Sequence, residues 1–270
     1  MAATGNLSQA PSARAPLLSP VTWLRLAIIM AAVLLWETAT FTGPLVNIFN
    51  PSFGYILMKV MPSLTVIGET LVDLLGHRAF YGHLYVTVAE VTAGMTIGGL
   101  TGLVIGLALG ANPFLSRAFE RFLYYLGPTP KIIFFPIMIM WFGVGPASKV
   151  AMGTISCFFP VVLSVAAGMR QIDNVLIQVG RSFRCNTWQM VTKIYLPAMR
   201  QPIVNGARLG LGVALIGTLL AETKLSNQGV GFLIMDAYNT FDMPRMYALL
   251  IVLFVVSIGA NALVGRASRG

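Results

Sequence analysis

The chain has 270 residues, of which 56% are hydrophobic and only 10% are charged. Soluble domains carry about a quarter charged residues, so this composition excludes an ordinary soluble globule and a disordered chain. The net charge of +9 could suggest nucleic acid, but a membrane protein collects the same excess in its cytoplasmic loops. The composition predicts an all-α, polytopic membrane helix bundle that has no nucleic-acid partner.

The chain begins with a polar stretch, residues 1–22, which we interpret as a cytoplasmic tail preceding one transmembrane domain over 23–270. About 20 apolar residues are needed to cross the hydrocarbon core. The sequence contains six candidate segments, namely Ala27–Phe41, Val86–Leu109, Phe122–Phe142, Val150–Ala167, Ile203–Leu220 and Tyr247–Val264. Trp36 and Glu37 in the first segment argue against a cleaved signal peptide. Pro128, Pro130 and Pro136 should kink or break the third.

The second predicted span repeats glycine every four residues, at Gly94, Gly98, Gly102, Gly106 and Gly110. Small residues at this spacing share one helix face and let a neighbouring membrane helix approach closely. We interpret the repeat as a packing surface rather than as a phosphate-binding loop.

Six spans place both termini on one side of the membrane, and the distribution of Lys and Arg decides which side. With the N-terminus inside, twelve basic residues are cytoplasmic and five are external, while Lys131 remains within a span. Both termini are therefore predicted to be cytoplasmic. An external connection over 42–85 contains a predicted amphipathic helix, Leu64–Leu75, which starts after Pro62 and Ser63.

The long internal loop, about 171–200, reads as a basic helix–turn–helix. Helices are predicted over Asp173–Phe183 and Thr187–Tyr195, with a turn at Cys185-Asn186, and Pro197 should separate the second helix from the next span. The spacing of Trp188, Val191 and Tyr195 predicts one apolar face. This pattern fits a docking surface for a cytoplasmic partner, and it fits an interfacial helix on anionic lipid equally well.

The loop resembles the coupling motif of ABC importer permeases, Glu-Ala-Ala-x3-Gly-x9-Ile-x-Leu-Pro. Alignment at Leu196-Pro197 places the Glu-Ala-Ala positions on Gln178, Val179 and Gly180, the motif glycine on Arg184 and the isoleucine on Ile194. Other segments resemble the nitrate/sulfonate/taurine-type subfamily of these permeases: Thr129–Pro136, Trp141–Gly145, Phe158–Pro160, Arg208–Gly212, Ala221-Glu222, Gly229–Leu233 and Asp236–Tyr238.

This resemblance implies a permease subunit of an ATP-binding-cassette importer in the bacterial inner membrane. It implies two cytoplasmic P-loop ATPase subunits, a second permease subunit in a homodimer or heterodimer, and a binding protein that delivers a small polar or anionic solute. The sequence contains no Gly-x4-Gly-Lys-Ser/Thr motif. ATP and magnesium are therefore assigned to the partner, and this chain is expected to be no enzyme and to hold no cofactor or metal.

The resemblance also implies which residues contact the ATPase. They are Gln178, Val179, Gly180, Arg184, Trp188, Ile194, Leu196 and Pro197. Arg184 departs from the motif glycine. If this position needs a left-handed backbone, Arg184 is strained by about 1–2 kcal/mol, or else the turn shifts so that Asn186 adopts that conformation. Weak coupling sequences also suggest pairing between two different permeases.

Charged residues inside spans are costly and indicate function. We therefore assign Glu90, Lys131 and Glu222 to the translocation pathway, with Trp141 and Phe159 as gate residues. Three alternatives stay open: Glu90 and Lys131 pair within the bundle, Glu222 caps a helix end, and the aromatic residues only pack. His77 and His83 lie six residues apart, on different helix faces, so no metal site is expected.

Two other functions compete with the importer. An ATP-independent channel or secondary transporter would need no ATPase partner. An intramembrane enzyme would need paired Asp, Ser–His or zinc-binding His–Glu residues inside spans, and the sequence contains no such set.

Overall fold

A computed structural model describes residues 20–49 and 59–266, with side chains over 21–43 and 59–266. Most of the predicted tail over 1–22 and residues 50–58 of the external connection lie outside the described residues. The chain divides into two compact units, one up to Leu64 and one from Thr65 onward. Every regular element in the described part is helical.

The first unit contains the first candidate span. Helix α1 runs over Pro20–Phe49 and extends beyond the predicted segment Ala27–Phe41 at both ends. Trp36 Nε1 donates a hydrogen bond to the Pro62 carbonyl at 3.0 Å. The Leu64 N–H donates to Glu37 Oε1 at 2.8 Å. These two bonds satisfy polar groups of α1 within its own unit.

The second unit contains the remaining helices, which we number in chain order. They are α2 (Leu64–Gly76, whose first residue belongs to the first unit), α3 (Arg78–Ala111), α4 (Pro113–Leu126), α5 (Phe135–Phe142), α6 (Pro146–Arg170), α7 (Asn174–Ser182), α8 (Thr187–Gln189), α9 (Leu196–Ala198), α10 (Arg200–Lys224), α11 (Val230–Asn239) and α12 (Met243–Arg266). The predicted amphipathic helix Leu64–Leu75 is confirmed by α2.

The described residues contain five helices long and apolar enough to cross a membrane, namely α1, α3, α6, α10 and α12. A sixth candidate is the pair formed by α4 and the segment Lys131–Phe142, which are bent by 95° at the intervening break. The predicted break in the third span is thus confirmed. Pro128 and Pro130 lie in the break, where proline removes a helical N–H donor.

Two differences from the sequence-based expectation concern the connections. Residues 42–85 are a shorter connection than expected because α1 extends to Phe49 and α3 begins at Arg78. Helix α11 was not predicted at all. Its ten residues follow Gly229, whose φ of 103° supplies a turn that the apolar periodicity does not reveal.

Helix α6 lies at the centre of the second unit and packs against both α3 and α10. The glycines of α3 form its contact face with α6. A Cβ atom at Gly94 would lie 3.1 Å from the backbone of Gly153, and one at Gly102 would lie 3.0 Å from the Phe158 carbonyl oxygen. The interpretation of the repeat as a helix-packing surface is confirmed. Lipid tails are as apolar as the side chains, so the hydrophobic effect does not drive the association of these helices. Close backbone approach supplies van der Waals packing instead.

We predict that Gly98→Ala destabilises the bundle by about 1–3 kcal/mol because its Cβ would collide with the Thr154 carbonyl oxygen and lie 3.0 Å from Cys157 Cβ. The matched control is the adjacent Gly99→Ala, where no atom lies within 4 Å of the added Cβ. Thermal unfolding in detergent measures the difference. Equal midpoints for the two variants would contradict the packing assignment.

Candidate functional site

The internal loop begins with α7, whose first turn is capped by Asp173. Its carboxylate accepts a hydrogen bond from the Val175 N–H at 2.9 Å. Helix α7 confirms the helix predicted over Asp173–Phe183 and is one residue shorter at each end. Its Gly180 is buried, and a Cβ there would lie 2.5 Å from Met190 Sδ. The small residue at this motif position thus lets α7 pack closely on the segment that follows the turn.

The turn after α7 is a Schellman motif centred on Arg184. The Cys185 N–H donates to the Gly180 carbonyl at 3.0 Å, and the Arg184 N–H donates to the Arg181 carbonyl at 2.9 Å. Arg184 has a φ of 50°. This left-handed position is usually occupied by glycine. Of the two expected alternatives, strain at Arg184 or a shift to Asn186, the structure has the first.

Asn186 instead begins the next helical segment. Its backbone is extended, and its side chain forms a capping box with Gln189. Asn186 Oδ1 accepts from the Gln189 N–H at 2.8 Å, and Gln189 Oε1 accepts from the Asn186 N–H at 3.0 Å. The reciprocal bonds satisfy two backbone donors at the helix start. The alternative in which Asn186 is the left-handed residue is therefore not the one that the structure has.

The segment after Asn186 is not the single α-helix predicted over Thr187–Tyr195. Helix α8 is followed by a π-helix over Met190–Tyr195. The predicted apolar face is divided: Trp188 is 73% exposed, whereas Tyr195 packs against the core cluster around α6. The wider turn of the π-helix accounts for this division. Pro197 does not end the segment either. It lies in the first turn of α9, where its missing N–H is tolerated, and the chain bends at Met199.

The loop exposes apolar side chains on both sides of the turn at Arg184. Val179 is exposed on α7, Phe183 is 79% exposed at its end, and Trp188 follows the turn. The basic residues Arg181 and Arg184 are exposed beside them. The remaining motif positions are less uniform: Gln178 and Pro197 are exposed, while Ile194 and Leu196 are partly buried. Val179, Phe183 and Trp188 thus form an apolar patch that has positive charge around it.

A second group of polar residues is buried where α3, α6 and α10 meet. Glu90 is 4% exposed, Lys149 is 1% exposed and Glu222 is 1% exposed. Glu90 and Glu222 face each other within hydrogen-bonding range, and both interact electrostatically with Lys149. We call these three residues the buried charge cluster. Sequence reasoning missed Lys149, which was counted as an external loop charge because it directly precedes the predicted span Val150–Ala167.

Glu222 also holds the start of α11. Its Oε2 accepts from the Gly231 N–H at 2.7 Å, and its Oε1 accepts from Thr87 Oγ1 at 2.7 Å. The Val230 N–H donates to Thr87 Oγ1 at 2.7 Å. A Cβ at Gly231 would lie 2.7 Å from Glu222 Cβ. Glycine is therefore required for α11 to approach the carboxylate.

The other predicted pathway residues are separate from this cluster. Lys131 does not pair with Glu90: its Nζ donates to the Gly127 carbonyl at 2.5 Å and lies 5.2 Å from the centroid of the Phe159 ring. Trp141, on α5, is 72% exposed.

A cavity of about 560 Å³ lies between the end of α10 and α11. Its wall is partly polar and includes Glu222, Lys224, Asn227, Phe232, Asp236 and Asn239. Glu222 thus connects the buried charge cluster to an open cavity.

The two histidines are not close to a metal-binding set. His83 Nδ1 accepts from the Gly229 N–H at 3.2 Å, and His77 Nδ1 lies 2.8 Å from the Asp73 carbonyl oxygen. Within residues 20–49 and 59–266, no group of three or more His, Cys, Asp or Glu side chains could hold a metal ion.

Comparison with known proteins places this architecture among transport permeases. Residues 98–270 match the family described as binding-protein-dependent transport system inner membrane component. The putative aliphatic sulfonates transport permease protein SsuC of Bacillus subtilis is 31% identical over 203 residues, which cover 75% of this chain and 74% of that protein. The taurine transport system permease protein TauC of Escherichia coli is 27% identical over 89% of this chain and 88% of its own length.

Two further comparisons extend this result. The nitrate import permease protein NrtB of Synechococcus elongatus is 24% identical over 65% of this chain and 63% of its own length. A chain of the inward-facing MetNI methionine ABC transporter superposes with a TM-score of 0.58 at 21% identity. The superposition covers 67% of this chain and 93% of the MetNI chain. At this identity the likeness shows a shared fold.

We predict that Arg184→Gly stabilises the turn by about 1 kcal/mol because glycine adopts the left-handed conformation without a Cβ clash. The measurement is hydrogen exchange at the Cys185 N–H, which closes the Schellman motif and should become better protected. Arg184→Ala is the matched control, since it removes the same charge and keeps the strain. Equal protection in the two variants would show that charge, not backbone strain, limits the turn.

Proposed function

The chain belongs to the binding-protein-dependent transport system inner membrane component family, as a permease subunit of an ABC importer, and we propose that its loop over 171–200 couples it to a separate cytoplasmic ATPase. Two permease subunits would form the pore, and each loop would sit on one P-loop ATPase subunit that binds ATP and magnesium. A solute-binding protein would deliver the solute from the other side.

The observation that carries this proposal is the exposed apolar patch around a locked turn. Phe183 and Trp188 leave most of their surface uncovered by the rest of the chain, which is unfavourable in water unless a partner covers it. An interfacial helix on lipid needs one continuous apolar face, but the π-helix turns Tyr195 away from Trp188. A rigid, divided surface suits a shaped protein groove better than it suits a flat lipid layer.

The charge distribution supports an orientation in which this loop is cytoplasmic. Arg181, Arg184 and Lys193 lie on it, and Arg170 and Arg200 lie at its two ends. With six spans, the positive-inside rule then supports cytoplasmic termini, and the family description supports the inner membrane.

The solute we propose is small and polar or anionic. Relatives of this chain are named for aliphatic sulfonates, taurine and nitrate. The cavity between α10 and α11 supports a polar solute, since its wall offers Lys224 and Asp236 as charged groups and Asn227 as a hydrogen-bonding group.

The same cavity supports a route for the solute. Its wall includes Glu222, and Glu90 lies behind Glu222 in the buried charge cluster. Lys131 and Trp141 are assigned to the pathway with them because they lie on the broken third span, and Phe159 because its ring lies beside Lys131. Backbone groups freed at such a break can line a water-filled cavity.

We predict that this chain, purified in mild detergent from its native membrane, brings down a P-loop ATPase in stoichiometric amount, as mass spectrometry would show. A second permease species in the same sample would establish a heterodimer, and one permease species with two ATPases would establish a homodimer. Recovery of the chain alone would contradict the coupling proposal. Flux into ATP-free liposomes would then support a channel or secondary transporter.

We predict that Trp188→Glu lowers solute-stimulated ATPase activity of the reconstituted transporter at least tenfold, because a charge replaces an apolar anchor of the patch. Gln201→Glu is the control: it adds the same charge at an exposed position in the first turn of α10, outside the patch. Its stimulated activity should equal that of the wild type. If Trp188→Glu also retained full stimulation, the patch would not be the ATPase contact.

A further inference from the structure

The buried charge cluster contains one more acid than base. Glu90 comes from α3, Lys149 from α6 and Glu222 from α10, and all three side chains are more than nine-tenths buried. Three ionised groups would leave an uncompensated negative charge in a medium of low polarity, which is strongly unfavourable. The hydrogen bonds around each group indicate how the cluster avoids this.

Lys149 has the surroundings of a charged ammonium group. Its Nζ donates to the carbonyl oxygens of Val144, Gly145 and Leu225, at 3.2 Å for Gly145 and 2.9 Å for Leu225. An ammonium group has three N–H donors, and here each has an acceptor. A neutral amine has only two N–H donors and would leave one carbonyl oxygen facing a lone pair.

Glu222 has the surroundings of a carboxylate. Both of its oxygens accept hydrogen bonds, one from Thr87 Oγ1 and one from the Gly231 N–H. Thr87 Oγ1 accepts from the Val230 N–H, so its own hydrogen is directed to Glu222. The N-terminus of α11, with its partial positive charge, adds to this preference for a negative group.

Glu90 has neither kind of support. Its Oε2 is buried and has no hydrogen-bond partner within the described part of the chain. Its carboxyl group faces that of Glu222 within hydrogen-bonding range. Two carboxyl groups can share a hydrogen bond only if one of them supplies a proton, and Glu222 already accepts at both oxygens.

We propose that Glu90 is a proton-binding site in the membrane: its carboxyl group carries a proton at neutral pH and donates it to the Glu222 carboxylate. The cluster is then neutral overall, with Glu222 balanced by Lys149. The proton joins α3 to α10, and Glu222 joins both to α11. Loss of the proton would place two negative groups in contact and weaken this junction.

The charged and hydrogen-bonding groups around the pair come from each helix packed against it. From α6 the charged neighbour is Lys149, and from α10 it is Glu222 itself. Helix α11 contributes the N–H groups of Val230 and Gly231. On α3, the His83 ring binds the Gly229 N–H. Lys224 and Asp236 lie with Glu222 on the cavity wall, where the pair could exchange its proton with water.

The test is infrared spectroscopy of the purified transporter at neutral pH, because a protonated carboxyl group and a carboxylate absorb at well-separated frequencies. Glu90→Gln should remove a protonated-carboxyl band that the wild type shows. Glu69→Gln is the matched control, since Glu69 is exposed and its loss should leave the band unchanged. Identical spectra for wild type and Glu90→Gln in this region would overturn the proposal.

A second measurement is thermal unfolding between about pH 5.5 and about pH 7.5. Unfolding of the wild type should release one proton, since an unfolded Glu ionises near pH 4.3, so its unfolding constant should rise about tenfold per pH unit relative to Glu90→Gln. Glu69→Gln should keep the wild-type slope. If Glu222→Gln removed the pH dependence while Glu90→Gln kept it, the proton would belong to Glu222 and the proposal would be overturned.

Discussion

Close backbone contact between α3 and α6 is the interaction on which the rest of the second unit depends. Lipid offers no hydrophobic gain for bringing two apolar helices together, so their association rests on packing and on buried polar contacts. The glycine face of α3 supplies the packing along its length, and the buried charge cluster lies at the end of the same interface. Helix α10 packs against both α6 and α3 and completes the cluster with Glu222.

The cluster explains why the chain after α10 turns back as it does. Glu222 binds the start of α11 through the Gly231 N–H, and Lys149 binds the Leu225 carbonyl beyond the end of α10. The cavity lies between these two attachments. The polar junction therefore positions one wall of the cavity, and it does so with its own polar groups buried within the bundle.

The internal loop follows a different principle, because its stability comes from local hydrogen bonds. The Schellman motif and the capping box meet at Cys185 and Asn186, and close packing at Gly180 holds the two arms together. Arg184 adopts the left-handed conformation although it has a Cβ atom. The turn thus has a left-handed residue although that residue is not glycine, which separates the shape of the loop from the identity of that residue.

The sequence by itself determined the all-α membrane class, most span positions, the broken third span and the glycine packing face, because hydropathy, proline and small-residue spacing act locally. It also indicated the family through the loop motif. Only the tertiary structure decided that Lys149 lies near enough to Glu90 and Glu222 to interact with them electrostatically, since these residues are far apart in the chain. The π-helix that separates Trp188 from Tyr195, and the short α11, likewise depend on packing and on hydrogen bonds with distant residues, which side-chain periodicity does not record.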